Sequence, residues 1–130
     1  METPYRPLLL MGTKGGLWAN LRACGIRLTA AGVADTDKDT IITLINPNKK
    51  AVAYTLTLWN EKGEISATDS GTIPANGTVY QSIQKLTAVF TGSVEILADL
   101  PMLGISTTYT VDTEKKRLNG SSVPMKLAAN

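Results

Sequence analysis

Hydrophobic and polar positions alternate most regularly in the middle of the chain. There Val52, Tyr54, Leu56 and Leu58 are interleaved with Ala53, Thr55, Thr57 and Trp59. A period of two describes a β-strand that buries one face and presents the other, so the second set forms a Thr-rich outer face ending in Trp59. A second β-rich run, Ile41 to Ile45, lies just upstream, separated by Asn46-Pro47-Asn48-Lys49-Lys50. Proline offers no ladder donor and asparagine tolerates turn geometry, so the two runs predict a β-hairpin on which the rest of the fold is built.

The same pattern extends in both directions. Residues 1–4 predict a loose end, and Tyr5 to Met11 a short strand that Pro7 assigns to an edge. Gly12 to Gly16 reads as a turn. Leu17 to Leu28 reads as a strand with Trp18, Cys24, Ile26 and Leu28 on one face, interrupted by Asn20 and Arg22, with a bulge or bend at Gly25. Ala30 to Asp39 predicts a polar connection. After the central pair, Asn60 to Gly63 is a turn, Glu64 to Thr72 a Ser/Thr-rich strand, and Ile73 to Gly77 another turn. Thr78 to Leu86 carries Val79, Ile83 and Leu86 at spacings that fit a helical turn as well as a twisted strand; it predicts a strand ending in a short helical turn. Gly92 to Ala98 points Val94, Ile96 and Ala98 inward, and Leu100-Pro101 breaks the pattern. Met102 to Val111 then resumes it, with Leu103, Ile105, Thr107 and Tyr109 on one face. Asp112 to Arg117 forms a charged hairpin tip, and Ser121 to Leu127 places Val123, Met125 and Leu127 together, with Pro124 marking an edge. About seven or eight short strands at spacings of roughly eight to twelve residues, without a long amphipathic helix, predict an all-β fold: a single antiparallel β-sandwich, immunoglobulin-like.

Length and composition narrow the picture. A chain of 130 residues suits one domain spanning 1–130. Cys24 is the only cysteine, which rules out an intrachain disulfide and fits a small buried hydrophobe better than a reactive thiol. A net charge of +2 with 18% charged residues lacks the concentrated basic footprint of a nucleic-acid-binding protein. Leu8 to Met11 is too short for a membrane span or a leader core, so no membrane insertion is expected. Two readings of compartment follow: a secreted or cell-surface protein whose leader has been omitted, which is preferred, or a cytoplasmic one.

Little of the chemistry that sequence can reveal is present. The chain has no histidine, which removes the usual base near neutral pH, histidine-dependent triads and His-containing zinc sites. Asp69, Glu95 and Asp99 are carboxylates of the right type for acid–base work, but nothing pairs them, and solvated positions are expected. Asp35-Thr36-Asp37-Lys38-Asp39 opens like a calcium loop; Thr40 and Asn46 then stand where glycine and a bidentate glutamate are required, which favours an acidic turn. Gly12 and Gly15-Gly16 lack the Lys-Ser/Thr of a phosphate cradle. Asn76-Gly77-Thr78 and Asn119-Gly120-Ser121 match glycosylation sequons but read better as Asn-Gly turns. No cofactor and no metal are expected. Two binding constellations stand. Trp18, Trp59, Tyr80 and Tyr109 could supply an aromatic surface for a sugar or a protein, against a core role that suits Trp18 in particular. Lys49-Lys50 and Lys115-Lys116-Arg117 could dock an anion, against the plainer role of solubilising two loop tips.

Several turn signatures between residues 40 and 110 resemble a known pattern. Ile45-Asn46-Pro47-Asn48, a strand ending near Trp59, Lys62-Gly63, and Thr72 to Gly77 are followed by Phe90 to Ile96 and Asp99 to Gly104. This order resembles a set of uncharacterised bacterial β-sandwich modules. More loosely, it is similar to the sensory rhodopsin transducer family. The first resemblance implies a module of secreted and cell-surface proteins, the second a small cytoplasmic all-β protein that forms tetramers. Neither supplies a catalytic residue. Together with 43% hydrophobic residues, high for strands buried on one face, and edge prolines at Pro7 and Pro124, these features predict a non-enzymatic interaction module that self-associates. A carbohydrate-binding module using the exposed aromatics is the first alternative, and a small oligomeric transducer-like protein the second.

Overall fold

β-branched and aromatic residues, which suit a pleated half-buried surface, recur along the strands of the computed structural model, which describes residues 25–112, 114 and 116–128. Among these residues the strands are β1 (Ile26–Ala34), β2 (Lys38–Ile45), β3 (Val52–Asn60), β4 (Ile65–Ile73), β5 (Thr78–Ser82), β6 (Phe90–Ala98), β7 (Leu103–Val111), β8 (Arg117–Pro124) and β9 (Lys126–Ala128), with one helical turn, α1 (Ile83–Leu86), after β5. All pairings are antiparallel. The order is β4-β3-β6-β1-β2-β7-β8, with β5 added to β2 and β9 to β1. The protein is therefore all-β. The expected strand at Tyr5 to Met11, the turn at Gly12 to Gly16, and Trp18 and Cys24 lie outside the described residues.

The sheet has a seam. β1 and β2 are joined at a single pair, Ala34 with Asp39, whereas β1 runs beside β6 from Ile26 to Ala34 and β2 beside β7 from Lys38 to Ile45. Two ladders result: β4-β3-β6-β1-β9, here the β3 ladder, and β5-β2-β7-β8, the β7 ladder. A β-hairpin linking Ile41–Ile45 to Ala51–Trp59 was expected, and the structure overturns it, because β2 belongs to the β7 ladder and β3 to the other. Asn46 accounts for the difference. It is fully buried, and its Nδ2 donates to the carbonyls of Lys50, Ile73 and Pro74 at 2.8, 3.1 and 3.0 Å. Its Oδ1 accepts from the amide N and the Nδ2 of Asn48 at 2.9 and 2.8 Å. A side chain that satisfies its own loop and the 74–77 turn together stabilises a crossover in place of a tight reversal.

The polar connection expected over Ala30 to Asp39 is also overturned: β1 continues to Ala34 and β2 begins at Lys38. Small residues here do not signal a loop, because other side chains take the space they leave. A Cβ on Gly32 would lie 2.6 Å from Cδ1 of Ile83 and 2.9 Å from Cγ2 of Val94. Ile83, at the start of α1, is thus lowered onto β1 and fully buried. The strand-then-helical-turn expectation for Thr78 to Leu86 holds, with α1 following β5 directly.

One core serves both ladders. Leu56, Leu58, Val94 and Ile96 come from the β3 ladder and Ile42 and Leu44 from the β7 ladder; all six are fully buried in the same cluster. The inward set Val52, Leu56 and Leu58 and the outward set Ala53, Thr55, Thr57 and Trp59 follow the sequence alternation. Near the seam the interior is polar. Thr40 Oγ1 accepts from the amide of Val33 at 3.0 Å and shares a 2.9 Å hydrogen bond with Thr108 Oγ1, while Ser106 Oγ donates to the carbonyl of Ala31 at 3.3 Å. The bonds to Val33 and Ala31 tie the ladders together where the backbone pairing is thinnest.

Candidate binding face

The outward side of the β7 ladder is set by register. Tyr80, Thr43, Ile105 and Pro124 lie in one cross-strand row, Thr78, Ile45 and Leu103 in the next, and Ser82, Ile41, Thr107 and Ser122 on the other side. Tyr80 is 72% and Leu103 58% exposed. Leu103, Ile105, Thr107 and Tyr109 do share a face, as the alternation suggested, and it is this outer one. Between β5 and β7 the surface dips into an open groove of about 530 Å³, floored by Ile41, Thr43 and Thr107 and bordered by both Tyr80 and Tyr109.

Asp39 builds one end of the groove. It is buried, its Oδ2 accepts from Ser82 Oγ at 2.5 Å, and its Oδ1 accepts from the amide of Gln84 at 2.9 Å. A carboxylate holding one hydroxyl and one amide fixes the end of β5 and the start of α1 against the start of β2. Gln84 reinforces this by donating from Nε2 to the carbonyl of Asp35 at 2.6 Å. Tyr109 of β7, paired with Asp39, borders the same end. Its ring lies over Gly120, where a Cβ would come within 2.7 Å of Cδ1, so glycine is required for the ring to cover β8.

Trp59 lies elsewhere. It sits on the outer side of the β3 ladder beside Ser93, and its Nε1 donates to Glu95 Oε1 at 3.4 Å. Glu95 Oε2 accepts from Arg27 Nε at 2.5 Å. The structure thus brings Tyr80 and Tyr109 together, places Trp59 on the other outer face, and leaves Trp18 outside the described residues. Of the carboxylates considered for catalysis, Glu95 is held by Trp59 and Arg27, and Asp99 accepts from the amide of Ala53 at 3.0 Å. Asp35 Oδ1 accepts from the amides of Asp37 and Lys38 at 2.7 and 2.8 Å, the bonding of an Asx turn. Among the described residues no group of three or more His, Cys, Asp or Glu side chains is arranged to hold a metal ion. Among the same residues no helix is long and apolar enough to cross a membrane, which leaves strand-built spans unaddressed.

Sequence reasoning missed Asp39, Ser82, Gln84 and Lys85 as groove residues. A signal existed for Asp39, an acidic side chain directly abutting the run Thr40 to Ile45. Nothing comparable marked Ser82 or Gln84, whose roles depend on how β5 is placed against β2. Comparison of the chain with protein-family models, curated proteins and solved structures yields no match.

Proposed function

We propose that the protein is a non-catalytic interaction module that associates with copies of itself through the side bearing the β7 ladder. The observation that carries this reading is the outward apolar set of Tyr80, Ile45, Leu103 and Ile105, contiguous across three strands. Apolar clusters on an outer face mark interaction surfaces when they are continuous, whereas isolated exposed hydrophobes do not. In the same reading the two ladders are the facing layers of an immunoglobulin-like β-sandwich. The single-pair seam and the shared core support that arrangement. The resemblance to bacterial surface modules and to tetrameric transducers is consistent with an assembly role. Light scattering over a concentration series tests the reading. A mass that rises with concentration in the wild type and stays monomeric in Tyr80→Lys supports it, and a monomer throughout refutes it.

A second reading, binding of a carbohydrate in the groove, is favoured by the shared position of Tyr80 and Tyr109 beside Ser82, Gln84 and Lys85. Aromatic faces flanked by hydrogen-bonding groups suit a sugar ring. Titration calorimetry with oligosaccharides separates the two readings: saturable heat that is lost in Tyr80→Ala favours the sugar, and its absence across a glycan panel removes that reading.

A further inference from the structure

The strand edges of the molecule are protected unequally. β4, at one end of the order, carries Asp69 and a register shift opposite Leu58 and Trp59. β8, at the other end, carries Pro124, and β9 carries Lys126. Charge, proline and bulges are the usual means of keeping an edge from pairing with another chain. β5 has none of them. Its sequence is Thr78-Val79-Tyr80-Gln81-Ser82, among the described residues it pairs only with β2, and the register there is uninterrupted. No backbone hydrogen bond joins its other edge to another element among the described residues. Tyr80, at its centre, is 72% exposed.

We propose that two copies of this chain join edge to edge along β5, antiparallel and two-fold symmetric about Tyr80, so that their β7 ladders become one continuous sheet. The inference rests on the self-association reading above and specifies its geometry. The five residues are complementary to their own reverse. About this axis Tyr80 faces the partner's Tyr80, Thr78 faces the partner's Ser82, and Val79 faces the partner's Gln81. Aromatic pairs and hydroxyl pairs are both favourable cross-strand combinations. The outer face of β5 carries Thr78, Tyr80 and Ser82, so the aromatic pair and both hydroxyl pairs fall on one surface beside the groove. An isologous contact of this kind closes after two copies, which limits the hazard of an unguarded edge. Stable interfaces bury on the order of 1,000 Å² or more in total. A five-residue edge with one large side chain per copy falls short of that, so the contact forms reversibly and depends on concentration.

Cysteine pairs test the register in a Cys24→Ser background. Directly opposed residues have Cβ atoms within about 5.5 Å, near disulfide reach. Tyr80→Cys, and the double variant Thr78→Cys with Ser82→Cys, should therefore form disulfide-linked dimers under mild oxidation. Thr78→Cys alone should not, since the two copies of residue 78 lie about four residues, or roughly 13 Å, apart along the strand. Gln81→Lys should weaken dimerisation at least tenfold by light scattering while leaving the melting temperature unchanged. Three results would overturn the proposal: an oligomer without cross-linking at these pairs, equal cross-linking by Thr78→Cys alone, or an undiminished dimer in Gln81→Lys. In each of these the self-association reading survives and only the edge geometry fails. A wild type that stays monomeric at every concentration sinks both.

Discussion

Each ladder turns a face outward, and at the middle of each face one residue is nearly covered. On the β3 ladder it is Thr57, paired with Glu95 and Thr68; on the β7 ladder it is Ile41, paired with Ser82 and Thr107. Both are 7% exposed, yet the means differ. Around Thr57 the neighbours are hydroxyls, the Glu95–Arg27 ion pair and the Trp59 indole, a surface whose polar groups are largely satisfied by one another. Around Ile41 the paired residues Ser82 and Thr107 are hydroxyls too, but the next row holds Tyr80 and Ile105, and Tyr80 is 72% exposed. Equal burial of the central residue therefore conceals unequal completeness. The β3 face also exposes Ile65 and Leu97, but the Thr57 row separates them, whereas the apolar residues of the β7 face are contiguous across three strands.

The two faces should differ most under substitution at their central residues. Ile41→Ala should lower the unfolding free energy by about 2–4 kcal/mol, the range for deleting a buried isoleucine side chain, whereas Thr57→Val should stay within about 1 kcal/mol of wild type. Urea unfolding with an unchanged slope checks both, and comparable losses at the two sites would erase the distinction. Next in size is Glu95→Ala, which removes the 2.5 Å partner of Arg27 and the acceptor for Trp59 Nε1. A cost of about 1–2 kcal/mol is expected, kept toward the lower end because the Arg27 side chain is 38% exposed. The emission of Trp59 should shift with it. On the opposite face, Tyr80→Ser should change stability by no more than about 0.5 kcal/mol while weakening association measurably, a separation of folding from assembly that no position on the β3 face should reproduce.

The smallest effect concerns Tyr54, on the inner side of the β3 ladder opposite Gly71. Burial raises its pKa, and the Asp69 carboxylate raises it further. Below the ordinary tyrosine value of about 10 both folded and unfolded chains keep the proton, and this residue contributes no pH dependence. Above it the unfolded chain ionises first, so stability falls as pH climbs from that value toward the folded one. Tyr54→Phe should flatten this alkaline slope and leave neutral stability nearly unchanged, as followed by chemical denaturation between pH 9 and pH 11, a range chosen to bracket the ordinary value of about 10. An identical slope in the variant would assign the effect to another group.

Strand positions were legible wherever alternation was strict, as in Val52 to Trp59 and Val94 to Ala98, because a period of two has only one structural reading there. Pairing was not. The Asn46 to Lys50 segment has the composition of a hairpin turn, and only the carbonyls of Ile73 and Pro74, distant in sequence, reveal it as a crossover. Likewise Ala30 to Ala34 carries too little hydrophobic signal to be read as a strand, since Ile83 and Val94 fill the space above Gly32. For the candidate face, aromatic type identified Tyr80 and Tyr109, but grouping them with Trp59 required knowing which ladder each strand joins. That information resides in long-range register and is absent from local pattern.

The amide of Asn46 has a practical corollary for anyone wishing to tag or re-circularise the protein. Around it meet three connections, 46–51, 74–77 and 99–102, the last held by Asn48 Nδ2 donating to the carbonyl of Pro101 at 2.6 Å. An epitope spliced into any of them would have to break bonds that the others share. The antiparallel ladder sends residues 61–63 to the far pole, where their side chains are exposed and Gly63 turns the chain at φ 78°. New termini or a fluorophore belong there.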